Sequence, residues 1–129
     1  MISFNTNSVF NLKPIPVENV RNEVSLLLLP GETILATFKT VRDQLIFTTT
    51  RIISIDVQGL TGTRKSYGTL PYNKIQFFSV QTPSIAEIIP DSELVIWFAS
   101  GSKAVFEFRG GTDVFEIARI IGDTVCHQK

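Results

Sequence analysis

The stretch Glu93-Leu-Val-Ile-Trp-Phe-Ala-Ser-Gly-Ser-Lys-Ala-Val-Phe-Glu-Phe108, continuing through Arg109-Gly-Gly-Thr-Asp-Val-Phe-Glu116, contains the two features that decide the fold. Its two runs rich in β-branched and aromatic residues, Glu93 to Phe98 and Lys103 to Phe108, flank Ser100-Gly101-Ser102, which predicts a hairpin. Asp113-Val-Phe-Glu116 then has the form of a capping box, with Gly110-Gly111 freeing the chain to change direction before it. Val114, Ile117, Ala118, Ile121 and Val125 follow at helical spacing, and Phe115 and Ile120 widen the stripe. The spacing predicts a helix over 112–126, with a face broad enough to require burial against the strands.

The same reading extends toward the N-terminus. Strands are predicted at Lys74 to Val80, Arg64 to Leu70, Ile52 to Asp56, Leu45 to Thr48 and Glu32 to Phe38, separated by Pro71, by Gln58-Gly59-Leu-Thr-Gly62 and by Thr49-Thr50-Arg51. That makes about seven strands within 32–108 without alternating helices, which favours a sandwich or barrel and excludes a doubly wound nucleotide fold; an antiparallel barrel plugged at one end by the C-terminal helix accommodates the whole order. Val17, Val20, Val24, Leu27 and Leu28 share one helical face behind Pro16, predicting a helix over 16–29 that Pro30-Gly31 ends. Residues 1–15, with three Asn, two Ser and a Thr, read as an irregular arm ahead of a single domain over 16–129.

Several segments in order carry a family resemblance: Phe38-Lys-Thr-Val-Arg-Asp43, Phe47-Thr-Thr-Thr-Arg51-Ile-Ile, Asp56-Val-Gln-Gly-Leu-Thr-Gly62, Leu70-Pro-Tyr-Asn-Lys-Ile75, Asp91-Ser-Glu-Leu-Val-Ile-Trp97 and Gly111-Thr-Asp113. Together, over roughly residues 17–126, they resemble the short bacterial pleckstrin-homology-like domains. The resemblance implies a mainly β fold, a pleckstrin-homology-like barrel of about seven antiparallel strands capped by a C-terminal α-helix. It also implies a family mostly without assigned function, some of whose members form ring-shaped homo-oligomers. Thr49 and Thr50 depart from the Asn or Lys common there.

Composition narrows the function. The 129 residues are 43% hydrophobic and 19% charged, with twelve Lys and Arg against twelve Asp and Glu, so no polycation draws the chain to nucleic acid. One cysteine and one histidine leave no internal disulfide and no cysteine-rich metal cluster, and neither a metal nor a cofactor is expected. The densest apolar run, Leu26 to Leu29, is far shorter than the ~20 residues of a spanning helix, and no secretory signal is apparent, so a cytoplasmic location is expected.

No group presents itself for catalysis, and the chain is expected not to be an enzyme. Cys126 and His127 are neighbours on a helix and point apart. Asp91 and Glu93 share a strand face but have no partner acid. Gly59-Leu-Thr-Gly62 lacks the Gly-Lys-Ser/Thr ending of a phosphate loop and reads as a turn, and Trp97 reads as sheet packing. The resemblance directs attention to Lys39 and Arg42, because eukaryotic pleckstrin-homology domains that hold phosphoinositides use Lys and Arg from the first hairpin. Arg51, Arg64 and Lys65 extend that candidate anion or lipid site, although Asp43 opposes an anionic headgroup.

The balanced total conceals a segregation. Lys39 to Lys74 carries six basic and two acidic residues, and Ile75 to Gln128 three basic and seven acidic. If the segments lie on different flanks, the basic one can meet an acidic flank of Asp91, Glu93, Glu107 and Glu116 on the next copy, a contact that closes into a ring when the rotation allows. Phe4, Val9, Phe10, Leu12 and Ile15 give the arm enough apolar surface to dock, on its own barrel or on a neighbour. The reading that follows is a noncatalytic assembly module, a ring-like homo-oligomer presenting a surface to another protein. The second reading is a peripheral membrane adaptor whose basic flank takes anionic lipid headgroups.

Overall fold

The seven predicted runs are all strands in the computed structural model, which describes residues 8–83 and 91–127. They are β2 (Ile34–Lys39), β3 (Gln44–Thr48), β4 (Arg51–Gln58), β5 (Arg64–Pro71), β6 (Ile75–Gln81), β7 (Ser92–Phe98) and β8 (Lys103–Phe108). An eighth strand, β1 (Ser8–Pro14), precedes them, and one helix, α1 (Val114–Val125), follows. Sequence neighbours pair antiparallel within two groups, β2 to β5 and β6 to β8. β1 joins the groups, antiparallel to β2 and parallel to β8, giving the order β5-β4-β3-β2-β1-β8-β7-β6.

The sheet curls into a barrel that is not hydrogen-bonded shut. Its outermost strands, β5 and β6, are joined by a 3-10 turn at Tyr72–Lys74, and α1 packs against that turn, β6 and β7. Asp113 caps the helix as expected, its Oδ1 accepting from the N–H groups of Phe115 (3.1 Å) and Glu116 (3.3 Å). Val114, Ile117 and Ile121 are buried, whereas Phe115, predicted to widen the buried stripe, is 57% exposed. At the far end Thr124 Oγ1 donates to Thr49 O (3.1 Å), pinning the helix to the β3–β4 turn.

Two expectations for the N-terminal region are corrected. The arm is not irregular over Ser8–Pro14, because there it forms β1, whose Leu12 side chain is fully buried in the core. Asn11, one of the polar residues behind that expectation, sits in a bulge between Val9 and Leu12 and takes a φ of 63° that Asn tolerates. Phe4 lies outside the described residues, and Ile15 is half-buried. The helix predicted over 16–29 is replaced by two 3-10 turns, Val17–Asn19 and Asn22–Leu26. Between them Gln44 substitutes for helical hydrogen bonds, its Oε1 accepting from Arg21 N–H (3.0 Å) and its Nε2 donating to Asn19 O (3.3 Å). The apolar spacing still serves packing: Val24, Val20, Leu27 and Leu28 cover Ile46, Ile53 and Ile55 on the outer sheet face.

Inside the barrel, the alternate residues of the strands and the apolar face of α1 make one core. Phe38, Phe47 and Phe108 meet at its centre, with ring centroids 4.8 to 6.4 Å apart. β3 and β4 are therefore buried on both faces, which is why their runs are almost continuously apolar.

Candidate functional site

One end of the barrel gathers the β2–β3 and β4–β5 loops and the bulge of β1. The first is a tight turn in which Thr40 N–H donates to Asp43 O (2.9 Å) and Asp43 N–H to Thr40 Oγ1 (3.1 Å). The second turns through Gly59 and Gly62, both at positive φ. Arg109 follows β8 and is anchored by its backbone N–H to Leu12 O (2.8 Å). Between these segments lies an open groove of about 890 Å³.

Its lining is cationic. Lys13 and Lys39 stand directly opposite each other in the β1–β2 register, an arrangement of like charges that opposes folding. Arg109 holds its guanidinium by donating from Nη1 to Asn11 Oδ1 (3.1 Å), so the left-handed Asn11 positions a groove cation. Arg42 reaches across from the other loop, its Nη2 donating to Gly59 O (2.6 Å). A Cβ on Gly62 would stand 3.3 Å from that Nη2, so glycine there leaves the guanidinium its path.

Asp43 is the acid that the sequence sets against an anionic ligand, and it is largely withdrawn. It is 4% exposed, with Oδ1 accepting the Val57 N–H at 2.8 Å. Asp56, 5% exposed, gives Oδ2 to Gln58 Nε2 (3.2 Å), while its buried Oδ1 has no hydrogen-bond partner among the described residues.

Of the five basic residues singled out from sequence, the groove unites Lys39 and Arg42 only. Arg51 lies at the opposite end, its Nε 2.8 Å from Glu32 Oε2. Lys65 is close enough to Glu23 to help lower that carboxyl's pKa, behind the backbone hydrogen bond that dominates the shift. Arg64, in register with Gln58, is exposed and does not line the groove. The sequence does not point to Lys13 and Arg109: Lys13 comes opposite Lys39 only because β1 pairs antiparallel with β2, and Arg109 joins them only because β1 pairs parallel with β8. On the acidic side, Glu93 and Glu107 are paired across β7 and β8, with Asp91 two residues before Glu93, whereas Glu116 stands apart in the first turn of α1.

The groove can hold an anion through charge-assisted hydrogen bonds; it offers no nucleophile paired with a base. His127 Nδ1 turns back to Asp123, 3.0 Å from its carbonyl oxygen, and not toward Cys126. Trp97 packs against Phe77 with the rings tilted 52° and their centroids 5.0 Å apart, and it does not line the groove. No cluster of three metal-ligating side chains occurs among the described residues, and no helix there is long and apolar enough to cross a membrane.

Comparison with known proteins places this architecture. The uncharacterized proteins YjqA and YozO of Bacillus subtilis (strain 168) are similar to the chain. YjqA is 33% identical over 118 residues, covering 90% of this chain and 92% of the relative. YozO is 30% identical over 104 residues, covering 81% and 88%. Among solved structures, a protein with a pleckstrin-homology domain from Shewanella loihica PV-4 superposes with a TM-score of 0.76 at 30% identity, covering 91% of this chain and 99% of that one. A pleckstrin homology domain from Shewanella amazonensis SB2B gives 0.58 at 36% identity, covering 80% and 82%. A PH-domain-containing protein from Exiguobacterium sibiricum 255-15 shares the fold at 15% identity, with a TM-score of 0.63 over 89% of this chain and 62% of that one. The family model described as "Bacterial PH domain" matches residues 3–125, and the chain belongs to that family.

Proposed function

We propose that this domain is a noncatalytic binding module whose working surface is the cationic groove, and that its ligand presents a dense negative charge. The carrying observation is the convergence of Lys13, Lys39, Arg42 and Arg109 on one groove, with two of them opposed in register at a cost to folding. The membership supports the noncatalytic part, since PH domains are typically binding folds. Calorimetric titration with inositol hexakisphosphate tests the proposal. Binding is expected to weaken steeply with added salt and to disappear in a Lys39→Glu, Arg109→Glu double variant. Binding that the double variant retains would refute it.

A second reading, assembly into a homo-oligomer, is favoured by a different observation. Phe77 is 57% exposed beside Trp97 on β6, whose outer edge has no strand partner among the described residues. Glu93 and Glu107 lie on the neighbouring strands and supply an acidic surface for the basic groove of another copy. Light scattering is expected to give a mass several times 14.4 kDa, reduced toward that value in Phe77→Lys. A wild-type mass of one chain at micromolar concentration would sink this reading.

A further inference from the structure

Among the described residues, the two groups of strands, β2 to β5 and β6 to β8, are joined by strand pairing only through β1. That joint is weak on the β2 side. Its register holds two pairs, Lys13 with Lys39 and Pro14 with Phe38, so one pair opposes like charges and the other contains a residue with no N–H to donate. Just beyond β1, Ile15 N–H donates to Thr37 O (3.0 Å) and Thr37 Oγ1 to Ile15 O (2.6 Å). On the β8 side the pairing is interrupted by the bulge between Val9 and Leu12. Leu12 is fully buried, so release of β1 opens the core. The groove cations straddle this joint. Lys13 belongs to β1, and Arg109 is tied to it through its N–H to Leu12 O (2.8 Å) and its Nη1 to Asn11 Oδ1 (3.1 Å). On the other side Lys39 ends β2, and Arg42 is held to Gly59 O in the β4–β5 loop (2.6 Å).

We infer that the groove is a ligand-operated clamp: an anion bound there locks β1 into the joint between the two groups of strands, and without it β1 is the first strand to open. The inference rests on the groove being an anion site and adds what occupancy does to the fold. An anion that touches cations on both sides of the joint loses its contacts on one side when β1 leaves. Its affinity for the closed state therefore exceeds its affinity for the open one, which is the condition for shifting the equilibrium. The empty groove works the other way, because the repulsion between Lys13 and Lys39 favours separation. Such an opening is local. β3 and β4 are buried on both faces and keep their own cover of Val24, Leu27 and Leu28, so they stay folded while β1 detaches. Release of β1 bares the edges of β2 and β8, so an anion that closes the joint also withdraws two strand edges from pairing with other chains.

The test is amide hydrogen exchange of the full chain, read residue by residue by NMR with and without inositol hexakisphosphate, alongside calorimetric titration. At a free ligand concentration about 100 times Kd, exchange of the Ile15 and Arg109 N–H groups is expected to slow by about 100-fold, because every opening that exposes them must first release the ligand. Leu27 N–H, which donates to Val24 O in the segment covering β3 and β4, is expected to change by less than about twofold. Lys13→Glu, which puts opposite charges in register, is expected to slow exchange at Ile15 and Arg109 by about threefold with no ligand present. Calorimetric binding with unchanged exchange at Ile15 and Arg109 overturns the clamp and leaves the groove as an anion site. Equal slowing at Leu27 overturns it too, because the anion then stabilises the fold as a whole and not this joint. If inositol hexakisphosphate does not bind, the reading of the groove fails and the clamp with it. Unchanged exchange in ligand-free Lys13→Glu overturns the weakness of the joint on its own.

Discussion

Glu32→Gln removes a carboxylate that accepts five hydrogen bonds. The Glu32 side chain is 2% exposed and accepts from Arg51 Nε (2.8 Å), Arg51 Nη2 (3.0 Å), Thr48 Oγ1 (2.6 Å), Thr50 Oγ1 (3.1 Å) and Leu29 N–H (3.0 Å). The Arg51 hydrogen bonds outweigh the opposing effect of burial and hold the carboxyl at about 2, against an ordinary 4.5. At about 1.4 kcal/mol per tenfold change in proton affinity, that depression is worth about 3 kcal/mol to the folded state. A lowered folded value gives stability that is fully present above 4.5 and is lost as pH falls toward about 2. Urea unfolding followed by the fluorescence of the single tryptophan, Trp97, at neutral pH and near pH 2 reads the effect. Glu32→Gln is expected to cost about 3 kcal/mol at neutral pH, where it leaves Arg51 without its counter-charge, and to flatten the acid loss. Arg51→Met is expected to move the acid transition upward, because the carboxyl no longer has its strongest donor. If wild type and Glu32→Gln lose equal stability on acidification, the ion pair is not the source of the acid sensitivity and the reasoning fails.

Three further outcomes follow from geometry already described. Lys39→Glu places opposite charges in register with Lys13 and is expected to raise stability by about 0.5 kcal/mol while weakening anion binding; a lowered melting temperature would contradict the register argument. Asp113→Ala removes the side-chain cap of α1 and is expected to cost about 1 kcal/mol in urea unfolding, with no change meaning that the cap contributes nothing. Leu12→Ala empties a fully buried position in β1 and is expected to cost about 2–5 kcal/mol, whereas a cost under about 1 kcal/mol would show β1 to be dispensable to the core.

The readable parts of this chain are those whose signals are local. The hairpin about Ser100-Gly101-Ser102, the Asp113 cap and the turn at Gly59 to Gly62 each depend on residues a few positions apart, and each forms where its pattern stands. β1 depends instead on a parallel partner in β8, about 97 residues away in the register of Ser8 with Val105, and a bulge at Asn11 breaks its alternation. The 16–29 segment carried a true apolar period, but the Gln44 side chain, on a strand folded later in the chain, satisfies its backbone between two shorter turns. The candidate site divides in the same way. Lys39 and Arg42 were visible within one loop, Lys13 and Arg109 became neighbours only through β1, and Arg51 was claimed by a glutamate 19 residues before it.

That division corresponds to a physical asymmetry between the two ends of the barrel. At the β3–β4 end the polar groups are satisfied: Glu32, Arg51, Thr48 and Thr50 form one network, Tyr72 Oη donates to Thr48 O (2.8 Å), and Thr124 ties the helix to Thr49. At the groove end the local rules are broken repeatedly, with Lys13 against Lys39, Asn11 in the left-handed region, a buried Asp56 oxygen without a partner among the described residues, and Val41 and Leu60 bare to solvent. Exposed apolar side chains also occur elsewhere, as at Leu26 and Leu29, so the asymmetry between the ends lies in the polar groups, and the opposed lysines at the groove end are the feature that the proposed anion would relieve. An anion between Lys13 and Lys39 would turn their repulsion into shared attraction, so an anion that binds the groove should raise the stability of the fold as well as occupy its surface.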